Sequence, residues 1–261
     1  MDFKNALSNV SHLSYALPHV LYDKKEAHKI YCNDRRTFLK NLFEYGGFFA
    51  DFQPLFIKDS KFLRDSCEIG AISFVKFALF LGFDIHDCGA LMYAAKNGHV
   101  SVCKLLLEHG SNVHAYDDYA LTSAAEKGHT EVCSILLEYG AFIHAENDLA
   151  LRGAAYKGHV SVCSLLLEHG ADIHELCDNA LRCAAEKGRV SVCKLLLEHG
   201  ADVHAHNNRA MRKAAYYGHE DVCKLLLEYG ANVHAGNDYA FHWAKENGHE
   251  DVCFLLQKYM K

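Results

Sequence analysis

The chain has 261 residues, half of them hydrophobic and 23% charged, the composition of a folded globular protein rather than a disordered one. A formal net charge of −6 argues against a general nucleic-acid binder, which needs surplus Lys and Arg to displace counterions from phosphates. The start, MDFKNALSNVSHLSY, has no basic stretch leading into an apolar run, and the most apolar segment, Ile69 to Phe83, is short and contains Lys76. Neither a secretory leader nor a membrane span is therefore expected, and the expected location is intracellular and cytoplasmic.

Residues 1–30 carry no recognisable pattern. Phe38 to Gly46 (FLKNLFEYG) and Phe74 to Gly82 (FVKFALFLG) each read as a short apolar helix ended by glycine, the second preceded by Gly70. From residue 88 the chain becomes periodic. Gly98, Gly128, Gly158, Gly188, Gly218 and Gly248 lie thirty residues apart, and five of them precede His. Gly110, Gly140, Gly170, Gly200 and Gly230 keep the same step.

Each unit predicts two short helices and a loop. Asp118, Asp148, Asp178, Asn208 and Asp238 stand before the first apolar residues and are expected as N-caps. Leu121, Ala124 and Ala125 then give one apolar face, and Gly128 supplies the left-handed conformation that ends the helix. The second helix should bury Val132, Ile135 and Leu136, with Cys133 and Leu137 broadening the stripe before Gly140 closes it. A lone helix pair this short would not fold, because nucleation is costly and its apolar face is wide. Stacked copies bury that face on one another, the logic of a solenoid.

The helix, turn, helix and loop plan, with the strings AAEKGH, VCKLLLEHGADVHA and VCKLLLEYGANVHA, resembles the ankyrin repeat. The resemblance implies an all-α solenoid of stacked helix-turn-helix units. Residues 1–60 are then an N-terminal segment with a degenerate cap repeat, 61–87 a degenerate repeat, and 88–261 six regular units including a C-terminal cap. The Phe-rich stretch from Phe38 to Phe83 suits a modified cap, since large side chains cover the end of a stack with few residues. Two features depart from the family. The unit is thirty residues rather than thirty-three, and Thr-Pro-Leu-His is replaced by strings such as Tyr-Ala-Leu-Thr and Leu-Ala-Leu-Arg. The missing residues fall between His114 and Leu121, where the family projects a β-hairpin, so stubbed loops with little strand are expected. The shortened unit is similar to those of ankyrin proteins of mimivirus-type giant viruses.

Several columns carry residues capable of chemistry. Cys103, Cys133, Cys163, Cys193, Cys223 and Cys253 recur on the second helices. Neighbouring helices stand ~10 Å apart while a disulfide needs Cα atoms within ~7 Å, so these read as buried small hydrophobes. His86, His114, His144, His174, His204 and His234 recur in the loops, too far apart to share a zinc ion, and read as a hydrogen-bonding ladder. Their protonation offers pH sensitivity wherever a bond uses the acceptor nitrogen. His174, Cys177, Cys183 and Cys193 break the columns but match no zinc-knuckle spacing. His219-Glu220 and His249-Glu250 lack a second metal-ligating His four residues on. No GxxxxGK, GxSxG or paired CxxC is present, so neither an enzyme nor a cofactor is expected. Arg152, Arg182 and Arg212, in the place of the motif His, should lie along the stack and reach backbone carbonyls or the acidic caps.

The second helices repeat nearly verbatim, whereas the ends of the first helices and the loops vary from copy to copy. The varying positions include Glu126 and Lys127, Tyr156 and Lys157, Glu186 and Lys187, Tyr216 and Tyr217, and Tyr116 in the loop. In the family these columns face the concave groove that holds protein partners, and Tyr supplies large contact area with few rotors. The expected function is a monomeric protein-interaction scaffold, in a virus one acting on host proteins. Alternatives are a ubiquitin-ligase adaptor, faintly suggested by Leu17-Pro18, and a virion structural component.

Overall fold

The computed structural model describes residues 61–85 and 89–260. Among them the regular structure is α-helical throughout, in fourteen helices without a strand. The expected segment and cap over residues 1–60, with Phe38 to Gly46, lies outside the described residues, as does His86. Contacts divide the chain into two compact units, Met1–Ser111 and Asn112–Lys261.

In the first unit, α1 (Phe62–Glu68) pairs with α2 (Ile72–Phe80), and α3 (Ala90–Lys96) pairs with α4 (Val100–Glu108). Helix α1 also packs on α3. The α1 and α2 pair is filled with rings. Phe62 and Phe74 are fully buried, and the Phe62 ring lies 6.0 Å from Phe74 and 5.9 Å from Phe83. Aromatic residues bury the most area per side chain, which suits a short pair with few residues to contribute.

The second unit stacks five helix pairs. The first helices are α5 (Ala115–Lys127), α7 (Ala145–Lys157), α9 (Glu175–Glu186), α11 (Ala205–Tyr216) and α13 (Ala235–Glu246). The second helices are α6 (Thr130–Glu138), α8 (Val160–Glu168), α10 (Val190–Glu198), α12 (Glu220–Glu228) and α14 (Glu250–Tyr259). Each first helix packs on the next first helix and each second helix on the next second helix, so the unit has two layers. Ala120, Ala124 and Ala125, all buried with Leu121, keep the first helices close. On α6 the buried stripe is Val132, Cys133 and Leu136, while Ile135 is half-buried, which corrects the expected Val132, Ile135 and Leu136 centre. Cys133, fully buried, takes the place in the stripe that Ile135 was expected to fill.

Gly128 ends the right-handed part of α5 at φ +82°, with its N–H donating to Ala125 and the next N–H, of His129, donating to Ala124. The thirty-residue unit closes through a device that periodicity does not show. Tyr116, Asp117 and Asp118 all adopt the left-handed conformation, at φ 56°, 54° and 56°, and the same triplet recurs in α7, α9, α11 and α13. This left-handed turn replaces the missing hairpin, so the loops are stubbed and strand-free as expected. For residues other than Gly each such conformation costs about 1–2 kcal/mol, so it must be held from outside.

Candidate protein-binding surface

What holds the turn is a hydrogen bond to the following repeat. Asp118 Oδ1 accepts the Phe142 N–H at 2.8 Å, Asp148 that of Asp172 at 2.9 Å, and Asp178 that of Asp202 at 2.8 Å. Asn208 does the same for Asn232 at 2.7 Å. The expected N-cap role is therefore corrected. In the left-handed conformation these side chains turn away from their own helix and tie the next loop down. The loop histidines complete the arrangement within each repeat, with Nδ1 of His114, His144 and His174 at 3.1–3.2 Å from Asp118, Asp148 and Asp178. His234 pairs with Asp238 at 2.7 Å. An ionised carboxylate only accepts, so each Nδ1 donates and protonation leaves these bonds in place. Among the described residues the ladder thus runs through the carboxylates, and none of these four bonds needs an acceptor nitrogen.

A second set of histidines, unassigned from the sequence, fixes the far ends of the first helices. Nε2 of His159, His219 and His249 donates to the carbonyls of Glu126, Glu186 and Tyr216 at 3.0 Å each, and Arg189 Nε donates to Tyr156 at 3.3 Å. The signal was the Gly-His dipeptide recurring at a thirty-residue step, with Gly188-Arg189 as the one exception. The glycine keeps room for that ring, because a Cβ on Gly128 would lie 2.6 Å from His159 Nδ1. The backbone beneath four of the candidate partner-binding positions is thereby clamped from the next repeat.

On this support the side chains form one continuous run across the first helices. Lys157 pairs with Glu126 at 3.3 Å and lies over the Tyr156 ring at 5.6 Å. Lys187 lies over Tyr156 at 4.8 Å and over Tyr217 at 5.7 Å. Tyr156, with Glu186 and Tyr217 adding to the effect, raises the Lys187 ammonium above the ordinary lysine value. Lys213 pairs with Glu186 at 3.0 Å and also reaches the Tyr217 ring. Tyr216 meets Tyr217 edge-on at 4.9 Å and Trp243 at 5.8 Å. Trp243 stacks on Tyr239, interplanar angle 9°, and Arg212 lies over both rings.

Seven of the residues singled out from the sequence thus come together, namely Glu126, Tyr156, Lys157, Glu186, Lys187, Tyr216 and Tyr217. Tyr116 stands apart, 61% exposed on the left-handed turn, and Lys127 is exposed at the end of α5. Among the described residues neither makes an ion pair or ring contact with the run. Sequence reasoning missed Trp243, Tyr239 and Lys213. The one available signal was that Trp243 is the chain's sole tryptophan.

The remaining columns are structural or dispersed. Burial pushes the thiols of Cys103, Cys133, Cys163, Cys193 and Cys223 up to about 12. His174 is taken by Asp178, Cys177 is exposed, and Cys183 donates to Asn179 at 3.4 Å. No group of three His, Cys, Asp or Glu among the described residues could hold a metal ion. Arg152 and Arg212 reach backbone carbonyls as expected, those of Asn147 and Glu146 and of Asn207 and His206, and so brace the left-handed turns. None of the described helices is long and apolar enough to cross a membrane.

Comparison with solved structures finds the human ASB11 ankyrin repeat domain at a TM-score of 0.66 and 26% identity. The match covers 74% of this chain and 96% of that one. Comparison with curated protein sequences finds no match. The family model for ankyrin repeats in three copies matches residues 63–147, 144–207 and 204–261. Ankyrin repeats generally mediate protein–protein interaction. The chain belongs to the ankyrin-repeat family.

Proposed function

We propose that this chain is a protein-interaction scaffold whose partner lies across the first helices, on the concave face of the repeat stack. One observation carries the reading: the continuous run of rings and charges from Glu126 to Trp243 sits where the copies differ in sequence, over a core that barely changes. A fold needs uniform packing, whereas recognition needs local variation, and the two are separated here residue by residue. Tyr156, Lys157, Glu186, Lys187, Tyr216 and Tyr217 form the centre of the proposed contact, Glu126 and Lys127 its edge, and Tyr116 an outlying contact. Ankyrin-repeat proteins are typically non-enzymatic scaffolds, which agrees with this reading. A viral protein acting on host proteins is a finer form of it, which rests on resemblance alone, that of the thirty-residue unit to the units of giant-virus ankyrin proteins.

Crosslinking with affinity purification tests the reading, comparing wild type with a variant carrying Ala at Tyr116, Tyr156, Tyr216 and Tyr217. A second variant changes Lys194 and Lys224 on the second helices. The tyrosine variant should retain its helical signal and lose the captured protein, while the second-helix variant keeps it. Identical recovery from all three forms contradicts the surface. Ligase subunits among the recovered proteins would point to the adaptor role instead.

A further inference from the structure

The sign of charge is sorted between the layers of the second unit. Positions 119–127, 149–157, 179–187, 209–217 and 239–247, the first helices beyond their left-handed turns, hold nine Lys and Arg against three Glu. The rest of residues 112–261 holds eighteen Asp and Glu against five Lys and Arg. An acidic chain therefore carries one basic face, and it is the face with the aromatic run. Separated charge of this kind steers partners of opposite sign and repels like ones.

Within that face one guanidinium has a buried nitrogen without a hydrogen-bond partner. Arg152 and Arg212 spend Nε on loop carbonyls, but Nε of Arg182, between them in the same column, is buried with no hydrogen-bond partner. Arg182 lines a cavity of about 140 Å³ with Asn179, Cys183, Glu186, Arg209 and Lys213. The carboxylates nearby are committed. Glu186 is held by Lys213 and Lys187, and Asp178 by His174 and the Asp202 N–H. Burial first, and then the charge of Arg209, push the Arg182 guanidinium below the ordinary arginine value. Two neighbouring guanidiniums without a counter-ion are a cost that an incoming carboxylate removes, and a guanidinium fork binds a carboxylate in two parallel bonds.

We infer that the partner presents an acidic protein segment to this face and seats one Asp or Glu carboxylate in the cavity between Arg182 and Arg209. The inference rests on the proposed function and narrows it. Aromatic rings beside the cavity, Tyr156 and Tyr217, would cover the apolar part of the same segment. A basic or neutral segment leaves both guanidiniums unpaired. A nucleic-acid strand would meet the acidic loops and second helices that border the face.

Fluorescence anisotropy on the full chain tests this with three labelled dodecapeptide pools of net charge near −4, 0 and +4, and with a single-stranded oligonucleotide of matched charge. The acidic pool should bind at least tenfold more tightly than the others, weaken several-fold between 50 and 200 mM salt, and lose at least fivefold in affinity in Arg182→Gln/Arg209→Gln. Should that variant misfold, the Nε–H NMR resonance of Arg182 in the wild type gives the answer. It should shift on adding the acidic pool, while those of Arg152 and Arg212 move less, their bonds being already made. Equal binding of the three pools, tighter binding of the oligonucleotide, or an Arg182 signal indifferent to the acidic pool each overturns the inference. Any of these with tyrosine-dependent capture intact sinks only the acidic segment, whereas loss of that capture as well sinks the surface itself.

Discussion

Asp148→Ala probes the tie that lets a thirty-residue repeat close. Asp148 is 2% exposed, accepts the Asp172 N–H at 2.9 Å, pairs with His144 and adopts φ 54°. Losing a hydrogen bond to a charged acceptor costs about 1.5–3 kcal/mol. Holding Ala in the left-handed conformation costs about 1 kcal/mol more, since Asp relieves that conformation by local bonding. The His144 partner is 45% exposed on its side chain, so its share is screened and stays below about 1 kcal/mol. The expected loss is about 3–4 kcal/mol. Asp148→Asn keeps both the acceptor and the tolerance of positive φ, as Asn208 does naturally at the equivalent position, and should cost about 1 kcal/mol. Urea unfolding followed by far-UV circular dichroism, with hydrogen exchange read at the Asp172 amide, measures both. If Ala costs no more than Asn, and the Asp172 amide keeps its protection, the tie does not hold the loop.

Glycine and cysteine columns give further tests. Gly128→Ala should destabilise by about 2 kcal/mol more than Gly140→Ala. Both have positive φ, but only the first meets a neighbouring ring, and the added cost is that of overpacking; equal midpoints in urea would contradict this. The cysteine column makes the fold alkali-sensitive. Burial pushes the thiols of Cys103, Cys133, Cys163, Cys193 and Cys223 up to about 12 in the folded chain from the ordinary 9.0 when unfolded, so stability is complete below pH 9 and falls as pH rises toward 12. The slope should be on the order of 1 kcal/mol per thiol per pH unit, and Cys163→Val should remove one proton from it, as measured by urea titrations at pH 8 to 10.5. In native labelling with a thiol reagent read by mass spectrometry, exposed Cys177 should react well before Cys133, Cys163, Cys193 and Cys223. Uniform labelling across those five would contradict the buried column.

Much of the architecture could be read in the sequence because it is written in apolar spacing and glycine. Leu121, Ala124 and Ala125 face the core, Gly128 and Gly140 end their helices, and the Cys column is buried from Cys103 to Cys223, only Cys253 in the last helix being half-buried. Reading failed where one residue had two local choices. Asp118 has the chemistry of an N-cap, and only the left-handed Tyr116, Asp117 and Asp118 turn sends its carboxylate to Phe142 instead. No propensity favours Tyr, Leu or Cys at positive φ, so that turn had no compositional signature. The candidate surface was half legible. Columns compared copy by copy picked out Tyr156 and Tyr217, but Lys213 joins them through Glu186, Trp243 through Tyr216 and Tyr239 through Arg212, contacts between repeats that a column does not show. Arg182 looked like Arg152 and Arg212 in sequence, and only its unpaired Nε sets it apart.

Hydrogen exchange of the chain alone and in complex with its captured partner addresses the binding surface most directly. Slowed exchange should centre on residues 152–157, 182–187 and 212–217 of the first helices, and the second helices α8, α10 and α12 should exchange as in the free chain. Protection confined to those second helices would place the partner on the acidic side and contradict the account.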